Sequence, residues 1–242
     1  ALLVAPYGRH NIAYFAIVAF VAILVMIPVC RWYKAYLRRV KWRPANAVRH
    51  APMPLPHGRT FFAIAILLTL IFSKYIYMAS LSSYYTFYLM HKFGVSVQQS
   101  QIFLFVFLLA TAAGTLMGGP IGDRIGRKYV IWMSILGTAP FSILMPHVSL
   151  AWTVVLSFCV GFMLSSAFPA ILLYAQELLP NKLGLISGLF FGFAFGIAGI
   201  ASAVLGDMAD HYGIEAVYNI CAYMPLLGLV TWFLPDLKKV PR

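Results

Sequence analysis

Seven stretches of this chain each carry about twenty mostly apolar residues, the length a helix needs to cross the hydrocarbon of a bilayer. They cover approximately residues 12–30, 60–90, 98–117, 129–146, 151–174, 184–206 and 216–234. In lipid, backbone N–H and C=O groups must be satisfied inside the protein, so apolar runs of this length cross as helices. The expectation is an all-α membrane protein with seven transmembrane helices. Composition agrees. The chain is 62% hydrophobic and 10% charged, whereas soluble domains are about 45–50% apolar and about 25% charged.

A net charge of +12 would suit a nucleic-acid binder if it formed one surface. It does not. Eight of the 18 Lys and Arg residues lie between Arg31 and Arg59 with no acid among them, and most others fall at Arg124–Lys128 and Lys238–Arg242. Clusters beside apolar runs are what cytoplasmic loops carry under the positive-inside rule. The expected partner is the bilayer, with no nucleic acid. The 31–59 segment, the 118–128 connection, Lys182 and the C-terminus are placed on the cytoplasmic side. Arg9 and Lys92 are placed outside, and Lys74 within the membrane. In RWYKAYLRRVKW, residues Trp32, Tyr33, Tyr36 and Val40 share one helical face. That suits a helix at a membrane surface and equally a solvated connector. Cys30, Cys159 and Cys221 are odd in number and widely spaced. They read as apolar fillers, not as a disulfide framework or a metal site.

Organisation follows from one long break. Residues 1–30 hold one helix, 31–59 a basic cytoplasmic linker containing Pro44, Pro52, Pro54 and Pro56, and 60–242 six helices. The chain opens on Ala1 with no signal peptide legible, so it is expected to begin partway through a longer protein.

GGPIGDRIGRK at 118–128 joins the second and third helices after the break. A tight turn needs glycine, and an aspartate at a helix end needs a positive partner. The set Gly119, Asp123, Arg124, Gly126, Arg127 and Lys128 resembles the loop signature of the major facilitator superfamily. The resemblance implies a twelve-helix transporter with two six-helix halves. The first helix here would close the missing N-terminal half, and the other six would form the C-terminal bundle. It also implies that the signature is a cytoplasmic latch, with Glu177 in YAQELLP as its acidic partner, paired with Arg127 or Arg124. FSKYIYMASLSSYYTFYLMHKFG (72–94), SGLFFGFAFG (187–196) and ICAYMPLLG (220–228) look like bacterial drug-resistance members of the family. They imply a proton-driven antiporter of the inner membrane that exports a small phosphonate drug, with no cofactor and no metal. An importer of a small organic anion, or a truncated non-transporting membrane module, are the alternatives. No GxxxxGK[ST] loop is present, which argues against ATP-driven export.

Two further patterns bear on mechanism. Gly184, Gly188, Gly192 and Gly196 form one stripe, and Ala110, Gly114 and Gly118 form another. Small residues at every fourth position let membrane helices approach closely. Lys74 sits near the midpoint of its helix, where a lysine costs roughly 2.5–3.5 kcal/mol on insertion scales. It should face the bundle interior or a cavity. Tyr77, Tyr85 and Tyr88 fall on or near its side of the helix, with Tyr84 at the edge. This face is expected to line a polar central cavity that binds substrate or couples protons. A lysine ammonium is a natural counter-charge for a phosphonate. Pairing of Lys74 with a carboxylate is the structural alternative, and an aromatic belt is the alternative for Tyr84, Tyr85 and Tyr88. Pro140 and Pro169 are expected to kink their helices.

Overall fold

The computed structural model describes residues 14–41 and 57–235. The chain divides into two units, Ala1–Ala51 and Pro52–Arg242. In the first, α1 (Tyr14–Lys41) is one continuous helix with Pro28 inside it. Residues 31–41, expected as the start of the linker, therefore continue the first helix. Arg31, Lys34 and Arg38 do not interrupt it, because straight-chain basic residues are good helix formers. Trp32, Tyr33 and Tyr36 are exposed, and the rings of Trp32 and Tyr36 stack at 5.6 Å. The linker prolines, Arg9 and the basic cluster at Lys238–Arg242 lie outside the described residues.

The second unit is a bundle of helices. Its first helix, α2 (His57–Phe93), ends at Gly94, whose φ of 62° is the left-handed region glycine favours. The next begins three residues later at a capping box, with Ser96 and Gln99 exchanging bonds at the start of α3 (Val97–Ile125). Then come α4 (Arg127–Ile135), α5 (Ala139–Leu144), α6 (Leu150–Leu178), α7 (Leu183–Tyr212) and α8 (Ile214–Cys221). The 3₁₀ segment Met224–Phe233 follows α8. Among the described residues seven helical spans are long and apolar enough to cross a membrane.

Two places differ from expectation. The 118–128 segment is mostly not a loop. α3 runs through Pro120 to Ile125, and the chain breaks only at Gly126. There φ is 113° and ψ 135°, open to glycine and strained for other residues. Gly119 lies inside α3, facing open space. The fourth span, Arg127–His147, is broken by a 3₁₀ turn at Leu136–Thr138. Pro140 therefore sits in the first turn of α5, where its missing N–H costs nothing. Pro169 does lie inside a helix, and α6 continues across it.

Burial runs along the bundle as two apolar clusters. One contains Ile66, Leu70, Ile131, Ile171 and Tyr174. The other contains Tyr77, Tyr85, Phe107, Val160 and Tyr218. The outside carries exposed Phe61, Leu116, Phe195 and Trp232, the surface expected of a protein solvated by lipid.

The two small-residue stripes part company. On α3, a Cβ built at Gly114 would lie 2.1 Å from the Phe162 carbonyl oxygen, and one at Gly118 2.4 Å from that of Ser166. Backbone meets backbone there, so α3 and α6 pack only because these positions lack side chains. On α7, a Cβ at Gly184, Gly188, Gly192 or Gly196 would meet nothing within 4 Å. That stripe packs on nothing among the described residues.

Candidate functional site

Two places carry chemistry. The first is the Gly126 break. Arg127 is the first residue of α4 and reaches across to the last turns of α3 and α6. Its Nη2 lies 3.5 Å from Asp123 Oδ1. Its Nη1 pairs with Glu177 Oε1 and donates to the Leu173 carbonyl at 3.1 Å. One guanidinium fork thus serves two carboxylates and a backbone oxygen, which a point-charge ammonium would not do as well. Of the two partners expected for Glu177, Arg127 takes the role. Arg124 is exposed, with no ion pair among the described residues. Lys128 Nζ donates to the Leu234 carbonyl, and the Tyr174 hydroxyl donates to that of Pro235. The end of the last span is thereby tied to the same corner. The cluster can hold one arrangement of four helix ends and release it when the ion pairs break.

The second place is Lys74, which is only 3% exposed. Its Nζ lies 5.1 Å from the ring centroids of both Tyr75 and Phe168. Those rings meet edge to face at 5.7 Å, and Phe168 meets Phe191 at 5.1 Å. Aromatic faces from α2 and α6 thus surround the cation, backed by a ring from α7. Ring quadrupoles offset part of a buried charge's cost. Among the described residues no carboxylate is paired with it. The ion pairs are Arg127 with Asp123 and Glu177, His91 with Glu215, and His211 with Asp207. A structural lock to a carboxylate among the described residues is therefore not what holds Lys74.

The tyrosines expected beside it are placed differently. Tyr77, Tyr85 and Tyr88 are 0–1% exposed, so these three, like Lys74 at 3%, open on no cavity within the described bundle. Their face of α2 is enclosed by the rest of the bundle. The Tyr85 hydroxyl donates to Ser157 Oγ at 3.0 Å, and its ring tilts against Phe107 at 6.3 Å. Tyr88 stacks on Tyr218 at 4.0 Å and accepts a bond from Lys92 Nζ at 3.0 Å. An aromatic belt at the lipid surface does not describe them either. Tyr84 is half-buried, and its hydroxyl donates to the Ser202 carbonyl at 2.5 Å, joining α2 to α7. Helical angles place residues on one side of α2, but they do not say what covers that side.

Phe168, Lys92, Ser157 and Tyr218 were not legible as members of these sites. Phe168 sits in an all-apolar run, and α8, with Tyr218, follows the break at Gly213. No group of three or more His, Cys, Asp or Glu side chains could hold a metal among the described residues.

A family model described as Major Facilitator Superfamily matches residues 66–242. The "Fosmidomycin resistance protein" of Escherichia coli (strain K12) is 58% identical over 236 residues, covering 98% of this chain and 57% of that protein. The "Uncharacterized MFS-type transporter YfnC" of Bacillus subtilis (strain 168) is 34% identical over 240 residues, covering 99% of this chain and 59% of that protein. The "Gallate transporter" of Pseudomonas putida is 29% identical over 134 residues, covering 53% of this chain and 30% of that protein. The chain thus spans less than three-fifths of the length of each of these relatives. No solved structure matches it.

Proposed function

The chain belongs to the major facilitator superfamily, and on that premise we propose that it is the C-terminal portion of a proton-driven exporter of fosmidomycin and related small anionic drugs. The bundle at 60–242 forms one half of an alternating-access transporter. Residues 1–30 close the N-terminal half, which would supply the rest of the cavity wall. Residues 31–59 link the halves on the cytoplasmic side of a bacterial inner membrane, where the C-terminus also lies.

The single observation that carries this reading is the buried Lys74 in its aromatic box, without a carboxylate partner among the described residues. An intramembrane cation is costly and is retained for what it binds. Its counter-charge would be the phosphonate of the drug, held by charge-assisted hydrogen bonds. Tyr84 lies on the exposed edge of the same helix and joins it to α7. The Arg127–Glu177–Asp123 cluster acts as the cytoplasmic gate, closed while the ion pairs hold and open as the halves rock.

The test is growth of fosmidomycin-sensitive cells expressing the full-length protein, with and without Lys74→Met, at equal membrane abundance. Protection by the parent and its loss in the variant supports export through Lys74. Equal protection by both moves the anion site elsewhere. No protection by either removes the export reading.

A second reading is import of a small organic anion. It is favoured by the same cation and by the similarity to the gallate transporter. Uptake of labelled gallate by the parent, absent in Lys74→Met, separates it from the first.

A further inference from the structure

α1 is 28 residues long and contains no acidic residue. At 1.5 Å per residue it runs about 42 Å, the depth of a bilayer with its headgroups, where the hydrocarbon alone is about 30 Å. Its apolar part ends at Cys30, and Arg31, Lys34 and Arg38 follow in the same unbroken helix. From Arg31 to Arg38 the helix rises about 11 Å. A helix whose apolar part lies in the hydrocarbon therefore carries these three cations through the headgroup layer.

The cations are not scattered. Ile23, Ile27, Arg31, Lys34 and Arg38 recur at steps of four, four, three and four residues, which is one side of an α-helix. A shallow groove runs along that side, lined by Ala22, Ile23, Met26, Ile27, Cys30 and Arg31. It is apolar over its length and ends on the first cation. Lys34 and Arg38 continue the line beyond it, both exposed. Helical side chains lean toward the N-terminus of their helix, which here means back toward the groove. Three cations thus converge on the end of an apolar track. On the other side, at the same level, the rings of Trp32 and Tyr36 stack. Amphipathic rings of this kind sit at headgroup depth.

Each feature matches one part of a phospholipid. The groove suits an acyl chain. The cations suit a phosphate, with Arg31 and Arg38 offering forked donors and Lys34 a point charge. Their charge is uncompensated nearby. Residues 31–59 hold eight Lys and Arg and no Asp or Glu, and no ion pair among the described residues uses Arg31, Lys34 or Arg38. A basic segment just outside a membrane helix is drawn to anionic lipid.

We propose that the side of α1 running from Ile23 to Arg38 binds one anionic phospholipid, its acyl chain along the groove and its phosphate held by Arg31, Lys34 and Arg38. In the orientation proposed above, the lipid belongs to the cytoplasmic leaflet. The site itself stands apart from the export reading. A lipid held there fixes the depth of α1 where the chain enters the linker. Retention by net charge alone would need only cations on that side of the membrane, whereas this site needs these three positions.

The test is native mass spectrometry of the detergent-purified full-length protein, titrated with phosphatidylglycerol or with phosphatidylcholine of the same acyl chains. One variant combines Arg31→Gln, Lys34→Gln and Arg38→Gln, since glutamine removes the charge and keeps the helix. The control combines Lys238→Gln, Lys239→Gln and Arg242→Gln, which removes the same charge from the C-terminal cluster. The parent and the control should hold phosphatidylglycerol on the order of tenfold more tightly than phosphatidylcholine. The α1 variant should hold both lipids at the parent's phosphatidylcholine level, which also reports folding. An α1 variant that keeps the preference overturns the site. An equal loss in both variants overturns it too, because bulk charge then suffices. Displacement of phosphatidylglycerol from the parent by inorganic phosphate also overturns it, since the groove would then contribute nothing. None of these outcomes depends on drug transport.

Discussion

Arg127 and Glu177 form an ion pair across the break at Gly126, binding the start of α4 to the last turn of α6. The same guanidinium holds Asp123 at 3.5 Å. Glu177 is half-exposed, so the pair is worth about 1 kcal/mol, a roughly fivefold bias on an opening equilibrium. Arg127→Lys keeps the charge and loses the fork. Amide hydrogen exchange at residues 174–179 should then rise by about that factor. Unchanged exchange would mean that the Tyr174 and Lys128 ties to the end of the last span hold the corner by themselves.

Close packing of α3 on α6 gives a second prediction. Gly114→Ala must push a methyl group into the Phe162 carbonyl, and overpacking of this kind costs about 1–3 kcal/mol. Gly188→Ala on α7 meets nothing within 4 Å and replaces a poor helix former with a good one. In detergent the melting temperature of the first variant should drop, and that of the second should hold or rise. Equal drops would show that the α7 stripe is packed against something in the folded protein.

Lys74 should trade stability for function. Lys74→Met replaces a buried cation with an apolar side chain that fills irregular space. Removing such a charge is expected to raise stability, by about 1 kcal/mol or more where functional sites have been relieved in this way. Thermal unfolding of Lys74→Met should therefore move upward. A downward shift would show that the lysine is satisfied in the folded protein by a group outside the described residues.

Tyr85 and Tyr77 differ in a way that unfolding can read. Tyr85→Phe deletes a buried bond to Ser157, worth about 0.5–1.5 kcal/mol. Tyr77→Phe deletes a hydroxyl whose close polar neighbour, the Ser142 hydroxyl, is already committed to the Ala222 carbonyl. The first should lower the melting temperature and the second leave it nearly unchanged.

Much of this was legible beforehand, for a physical reason. A membrane helix is recorded in a long apolar run, so the seven spans and the class could be read directly. The resemblance of the 118–128 segment to a family signature pointed to an arginine for Glu177 and left Arg127 and Arg124 open, a choice that only the packing of α4 against α6 makes. What failed was enclosure. The angular position of Tyr77, Tyr85 and Tyr88 on α2 was sound, but the covering side chains, Phe107 and Tyr218 among them, come from α3 and α8. Phe168 was invisible because its role arises only where α6 passes Lys74. The extension of α1 through Lys41 was missed for the opposite reason. Basic residues mark where an apolar run stops, not where a helix does.

The 3₁₀ winding of Met224–Phe233 has a consequence for thickness. The last span has 20 residues, whereas four of the others have 29 to 36. An α-helix rises 1.5 Å per residue and a 3₁₀-helix about 2.0 Å. Ten residues wound this way cover about 20 Å instead of about 15 Å. Drawn out in this manner, the last segment gains about one α-helical turn of height. Twenty residues already cross the hydrocarbon as an α-helix, so the added height carries the end of the span toward the interface or lets it tilt.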